Sequence, residues 1–275
     1  MEKRRAERTK VPEKEHPVKK ALEREHIVGK SIKRVDAFEK VTGRAKYTDD
    51  LCGRDAYVAK VMHSTIAHGY VKSIDTSEAE KIPGVIKIVT CFDVPGYYYP
   101  TAGHPWSTEE AHQDVADRLL LVKHVRYYGD DIAAVVAENE VAAAQAVRAL
   151  KAEYEELPFV LDVQKAMEDG APQLREKYPH NILAHTSIRN GDYEAAVREP
   201  GLTKVEGWYE TPTVQHCHIE NPVCYAYMEQ GRIVVVTSTQ LPHICRRIVG
   251  QALGIPWGQV RVIKPYIGGG FGNKQ

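Results

Sequence analysis

No stretch of this 275-residue sequence approaches the roughly 20 apolar residues that a membrane-crossing helix needs. The opening MEKRRAERTKVPEKEHPVKK mixes both charges and has no apolar core of the kind that marks a secretory signal, so a soluble protein with a flexible, solvated tail over residues 1–28 is expected. Charge of one sign is missing too. Lys plus Arg (37) equals Asp plus Glu (37), which argues against a nucleic-acid partner and, with 43% apolar residues, against general disorder. Cysteine is sparse: Cys52, Cys91, Cys217, Cys224 and Cys245 form no CxxC pair, so neither a zinc ribbon nor a disulfide scaffold is indicated, and a reducing cytoplasm fits best.

Familiar catalytic signatures are also lacking. There is no G-x-S-x-G elbow, no isolated pair of carboxylates of glycosidase type, and no cysteine set at ferredoxin spacing. The glycine cluster near the C-terminus fails both phosphate-binding fingerprints. Lys274 follows Asn273 and precedes Gln275, unlike the lysine of a P-loop, and from Gly268 the third glycine of a dinucleotide fingerprint would fall on Asn273.

What is present is room for about two domains. Turn signals and alternation predict a turn, a short strand and a second turn in VTGRAKYTDD, then strands at 56–63, 85–90 and 132–137. Asn139 caps an alanine-rich helical pattern, EVAAAQAVRALKAEY, giving a βαβ rhythm that Leu157-Pro158 ends. Residues 97–117 read as a long surface loop, residues 166–203 as a linker, and a new domain opening on strands is expected from Lys204. Within it the order is a strand at 232–237, TSTQ, a helix from Pro242 to Leu253 stopped by Gly254, and a strand from Val260 leading into IGGGFGNKQ. Gln240 and the glycine loop therefore both follow strand ends, where α/β folds commonly hold ligands.

Gly268, Gly269, Gly270 and Gly272 allow positive φ and close approach of backbone to a ligand, with successive N–H groups able to nest an anion. In QHCHIEN, residues 215–221, a strand would point His216 and His218 one way and Cys217 the other, which favours polar packing over metal ligation. Arg246 and Arg247 are read as partners of nearby carboxylates and Cys245 as packing. These readings yield a ligand loop without a nameable reaction.

Three separated segments carry a resemblance. TSTQLPHICRRIVGQALGIPWGQVRVIKPYIGGGFGNKQ, QHCHIEN and VGKSIKRVDAFEKVTGRAKYTDD together resemble the molybdenum-binding subunit of the xanthine dehydrogenase/aldehyde oxidase family, over nearly everything after Ile27. The resemblance implies an α/β (α+β) fold: an a/b hammerhead domain at 29–165 and, from 204 to 275, the truncated start of a molybdopterin-binding domain. It implies that Gln240 lies beside the molybdenum, that the backbone at Phe271 approaches the metal's ligands, and that Gly269, Gly270 and Gly272 give the cofactor close contact.

The family's reaction inserts water-derived oxygen at an electron-poor carbon, and electrons leave through [2Fe-2S] clusters and FAD to NAD. By resemblance, the cofactor is molybdenum-molybdopterin, in its plain or its cytosine dinucleotide form, and the iron-sulfur and FAD groups sit on partner subunits. A purine such as xanthine or hypoxanthine is the implied substrate. Gln275 stands where many xanthine-oxidising relatives carry a substrate-binding glutamate, and the family's general-base glutamate falls beyond Gln275, so the catalytic residue is unknown from this sequence. The alternatives are a hammerhead assembly module without activity, or a hydroxylase of another N-heterocycle or of aldehydes.

Overall fold

The computed structural model describes residues 29–100, 115–183, 185 and 187–275. The expected tail over 1–28 and most of the expected loop at 97–117 lie outside them. The chain forms two compact units that divide after Ala45. In the first unit a short helix, α1 (Ala37–Val41), follows Asp36, whose carboxylate takes the side chains of Arg34 and Lys40. Gly43, at φ +70°, makes the expected turn.

The second unit opens with α2 (Thr48–Leu51) in place of the short strand expected in this motif. Asp50 reaches back to accept the Tyr47 N–H at 3.0 Å, and this local carboxylate bond outcompetes extension. Tyr47 keeps a single parallel bridge, to Tyr266.

Two antiparallel sheets follow. In the first, β7 (Asp131–Ala137) lies between β1 (Val58–His63) and β3 (Val85–Thr90). In the second, β2 (Gly69–Asp75) lies between β6 (His124–Val125) and β8 (Lys151–Glu156), while β4 (Tyr99–Pro100) and β5 (Ala116–Arg118) form a separate pair. The run DIAAVVA is apolar throughout because both faces of β7 are covered. Ile132 joins Val71, Leu121 and Val125 on one side, and Ala133 and Val135 pack with Ala146 and Leu150 on the other. Ala142, Ala143 and Ala146 of α3 (Glu140–Ala149) are buried, and their small size lets the helix lie close to the sheet. Asn139 caps α3 through Oδ1, accepting from Ala142 N–H at 2.9 Å, as the sequence predicts.

Two expectations for this region are overturned. The helix stops at Ala149, and LKAEY turns extended at Leu150 to form β8. Ala152 and Tyr154 point inward and their neighbours outward, a period of two that gains ladder hydrogen bonds to β2. The βαβ rhythm is not a parallel unit either, since β7 and β8 belong to different sheets and β1, β3 and β7 pair antiparallel.

Downstream come α4 (Val163–Ala166) and α5 (Tyr193–Val197). Residues 204–223 contain no strand, contrary to the expected opening, because they meet the described residues through isolated bonds such as Glu220 to Gly268 and never through a ladder; Trp208 and Tyr209 stand exposed. Strands begin at β9 (Cys224–Glu229), joined to β10 (Arg232–Thr237) by Gln230 and Gly231, both at positive φ as a tight hairpin requires. β10 then crosses through α6 (Pro242–Leu253) to the parallel strand β11 (Val260–Ile263), a true βαβ unit. Pro242 occupies the first turn, and Gly254 ends the helix in the left-handed conformation, as expected.

Candidate functional site

The parallel pair β10 and β11 sends two loops from the same edge of its sheet. After β10 the chain buries Ser238 and Thr239, then presents Gln240. After β11 it runs through Tyr266 into the glycine loop. Backbone bonding zips the loops together: the Gln240 N–H donates to the Lys274 carbonyl at 2.5 Å, and the Thr239 hydroxyl to the same oxygen at 3.3 Å. The Gln240 side-chain oxygen accepts from the N–H groups of Gly272 (3.1 Å) and Lys274 (3.4 Å). That fixes which end of the amide faces the loop. Nε2, a donor, has no acceptor among the described residues.

The loop has to be glycine for steric reasons. A Cβ on Gly270 would stand 2.6 Å from Gln240 Cδ, and one on Gly268 2.5 Å from Glu220 Cβ. Gly269 and Gly272 sit at φ +103° and +81°, and Phe271 at +49° is a non-glycine held left-handed, a strain that clusters at functional sites. The Phe271 ring is 72% exposed and lies 5.9 Å from the His218 ring. The N–H groups of Gly269, Gly270 and Phe271 make no hydrogen bond among the described residues, so three successive donors are left for a ligand.

The segment QHCHIEN closes the loop from its other side. It is not a strand: Cys217 takes φ +52°, which breaks extended alternation, yet the His216 and His218 rings still stack with centroids 5.8 Å apart. The His218 Nε2 donates to the Gly270 carbonyl at 3.2 Å. Glu220 is the hub. Its N–H donates to the Gly268 carbonyl (3.1 Å), its Oε2 accepts from the Gly268 N–H (2.9 Å), and the Lys274 ammonium binds both its carbonyl (2.7 Å) and Oε2 (2.9 Å). The two side chains are nearly closed off, at 2% exposure for Lys274 and 13% for Glu220. Polar packing was expected of this motif, but the ion pair was not. Its sequence signal was a lysine inside a glycine loop and a glutamate inside the companion motif.

Gln240, Gly269, Gly270, Phe271 and Gly272 thus lie together at one end of the sheet. Gln275 is exposed beside them, with its Nε2 4.0 Å from where a Cβ on Gly272 would lie, and it lines a cavity of about 290 Å³ with Cys224, Cys245 and Thr237. Burial raises the pKa values of the Cys224 and Cys245 thiols, which opposes a thiolate nucleophile there. Arg246 and Arg247 lie on α6; Arg247 is buried.

A sheet edge with an amide donor, bare glycine backbone and unspent N–H groups is the kind of cradle that accepts an anionic cofactor. Residues 42–158 match the family model for the aldehyde oxidase and xanthine dehydrogenase a/b hammerhead domain, and residues 174–275 match the molybdopterin cofactor-binding domain. The chain belongs to the xanthine dehydrogenase/aldehyde oxidase family.

Among its relatives, the putative xanthine dehydrogenase molybdenum-binding subunit XdhA of Escherichia coli K12 is 46% identical over 86% of this chain and 31% of its own length. The nicotinate dehydrogenase large molybdopterin subunit of Eubacterium barkeri is 33% identical over 86% of this chain and 53% of its own. The aldehyde oxidoreductase of Desulfovibrio gigas superposes with a TM-score of 0.77 at 29% identity, covering 88% of this chain and 27% of that one. The chain therefore spans about a third of the length of its Escherichia coli relative.

Proposed function

We propose that this chain is the amino-terminal part of the molybdenum-binding subunit of a xanthine dehydrogenase-type hydroxylase. The convergence of the free Gln240 amide with the unspent N–H groups of Gly269, Gly270 and Phe271 carries the reading. Gln240 and Phe271 would sit nearest the metal, and Gly269, Gly270 and Gly272 would admit the molybdopterin against bare backbone. When bound, that cofactor supplies the two-electron redox chemistry by which water-derived oxygen enters an electron-poor carbon. This chain's residues bind and orient it: Gln240 Nε2 donates a hydrogen bond where negative charge builds, and the Glu220–Lys274 pair holds the loop in register.

The names of the relatives, a xanthine dehydrogenase molybdenum-binding subunit, a hypoxanthine oxidase and a nicotinate dehydrogenase large subunit, support a purine or related N-heterocycle as substrate and further subunits beside this one; FAD and [2Fe-2S] groups on those subunits, passing electrons to NAD, are part of the same proposal. The cytosine dinucleotide form of the pterin, a general base beyond Gln275 and a cytoplasmic location belong to the same proposal. Among the described residues no helix is long and apolar enough to cross a membrane. Metal and pterin analysis of the full-length protein with its neighbouring subunits tests the reading. Molybdenum near one per subunit with releasable pterin is expected, and its absence from a well-folded complex would turn the chain into an assembly module.

Gln275 sets the finer question. An amide both donates and accepts, whereas an ionised carboxylate only accepts. Gln275→Glu is expected to shift the preference between xanthine and hypoxanthine in steady-state rates, and an unchanged preference would remove Gln275 from substrate recognition.

A further inference from the structure

A second cavity, of about 560 Å³, lies away from the glycine loop, bordered by Tyr70, His124, Arg126 and Arg175 among others. Its size is that of a small-molecule site. One wall is a row of three rings. Tyr70 lies 4.4 Å from His124, and His124 5.2 Å from His68, centroid to centroid. His68 Nδ1 donates to the Pro158 carbonyl at 2.7 Å, and the Nε2 atoms of His68 and His124 share a hydrogen bond at 3.0 Å. Burial, with Arg126, His68 and Arg175 adding to it, brings the His124 pKa down to about 4, which keeps the His124 ring uncharged at neutral pH.

The cavity's other feature is a pair of guanidinium groups. Arg175 has a carboxylate, Asp117, at 3.2 Å. Arg126 has none within salt-bridge distance among the described residues; its Nε donates to the Leu174 carbonyl (2.8 Å) and its Nη1 to the His124 carbonyl (3.3 Å). Burial and the neighbouring Arg175 lower the Arg126 pKa and outweigh the opposing pull of Tyr98, Asp130 and Tyr70; Asp130 accepts the Arg126 backbone N–H at 3.2 Å and forms no ion pair with the guanidinium. Lys177 and Glu176, which also border the cavity, offset one another in formal charge.

We propose that this cavity binds a small planar carboxylate, with the carboxylate on Arg126 and its aromatic ring against Tyr70 and His124. The anion supplies the charge that Arg126 lacks and leaves the Arg175–Asp117 pair intact. A charge-assisted contact of this type and a ring-on-ring contact are each strong enough to read by substitution. This site is independent of the molybdenum reading, since none of its residues belongs to the glycine-loop cradle.

The test is calorimetric titration of the intact protein with benzoate, cyclohexanecarboxylate and inorganic phosphate. Benzoate is expected to bind saturably at one site, with the other two weaker by roughly tenfold or more. Arg126→Gln is expected to weaken benzoate by a similar factor of about ten. Tyr70→Leu, a change at a partly exposed position that removes the ring but no charge, should erase the advantage of benzoate over cyclohexanecarboxylate and so decides the matter even where Arg126→Gln fails to fold. No saturable benzoate binding, equal binding of the saturated analogue, phosphate binding as tightly as benzoate, or indifference to both substitutions would each overturn the proposal.

Discussion

Replacing Lys274 with methionine is the sharpest test of how the glycine loop is held. The ammonium is 2% exposed and makes two bonds to Glu220, at 2.7 and 2.9 Å. Methionine keeps most of the apolar stem but removes the charge, leaving the Glu220 carboxylate in a closed pocket. Its Oε2 then retains the Gly268 N–H, while its Oε1 is buried with no partner in any case. Removing one member of a buried ion pair costs about 3–5 kcal/mol, because the other charge is left uncompensated. At about 2–4 °C of melting temperature per kcal/mol for a unit of this size, the midpoint should fall by roughly 6–20 °C.

The double variant Glu220→Gln/Lys274→Met is the control. With both charges gone the desolvation cost disappears, and replacing a buried pair by neutral groups is often nearly neutral in stability. The double variant should therefore melt well above the single one, a coupling that a thermodynamic cycle reads directly. Differential scanning calorimetry of the intact protein and its variants is the assay. A Lys274→Met midpoint within about 2 °C of the parent, or a double variant no more stable than the single, would refute the reasoning.

Three further outcomes are expected. Gly270→Ala puts a methyl group 2.6 Å from Gln240 Cδ, so the Gln240 side chain must move; molybdenum and pterin content of the purified complex should drop while the melting temperature changes little. Gly254→Ala asks a left-handed position, φ +66°, to carry a Cβ that meets the Tyr97 ring at 2.4 Å, and should cost about 1–2 kcal/mol from the backbone alone, read as a lowered melting temperature. His124, with its pKa held at about 4 against an ordinary 6.5, binds its proton more readily when unfolded, so stability should decline as pH falls from 6.5 towards 4. His124→Gln should flatten that part of the pH–melting curve, and an unchanged slope would remove His124 as its cause.

Legibility in the sequence followed the strength of local signals. β10 and α6 were readable because an unbroken apolar run, a proline in a first turn and a glycine at a helix end each have one conformational reading. KAEYEE was not, because a helical spacing of alanines runs straight into it, and only pairing with β2, more than seventy positions earlier, selects the strand. In QHCHIEN the expected alternation failed at Cys217, whose positive φ follows from the demands of the facing loop and not from its own side chain. Gln240 and the glycine loop were placed at adjoining strand ends by their order in the chain. Their roles, by contrast, came from resemblance. Lys274 was read only as a failed P-loop lysine, since Glu220, its partner, lies outside any local window.

Under the proposed reading, the loop after β11 would meet its ligand through main-chain groups, while Phe271 and Gln275 are exposed. Main-chain amides are the same in every residue, so the cradle is written in conformation and survives changes of side chain that leave the glycines and the buried lysine in place. Recognition of whatever approaches from solvent is written in interchangeable side chains a residue or two away. If the proposed reading holds, a lineage would exchange substrates by editing the outward positions without rebuilding the cofactor's seat.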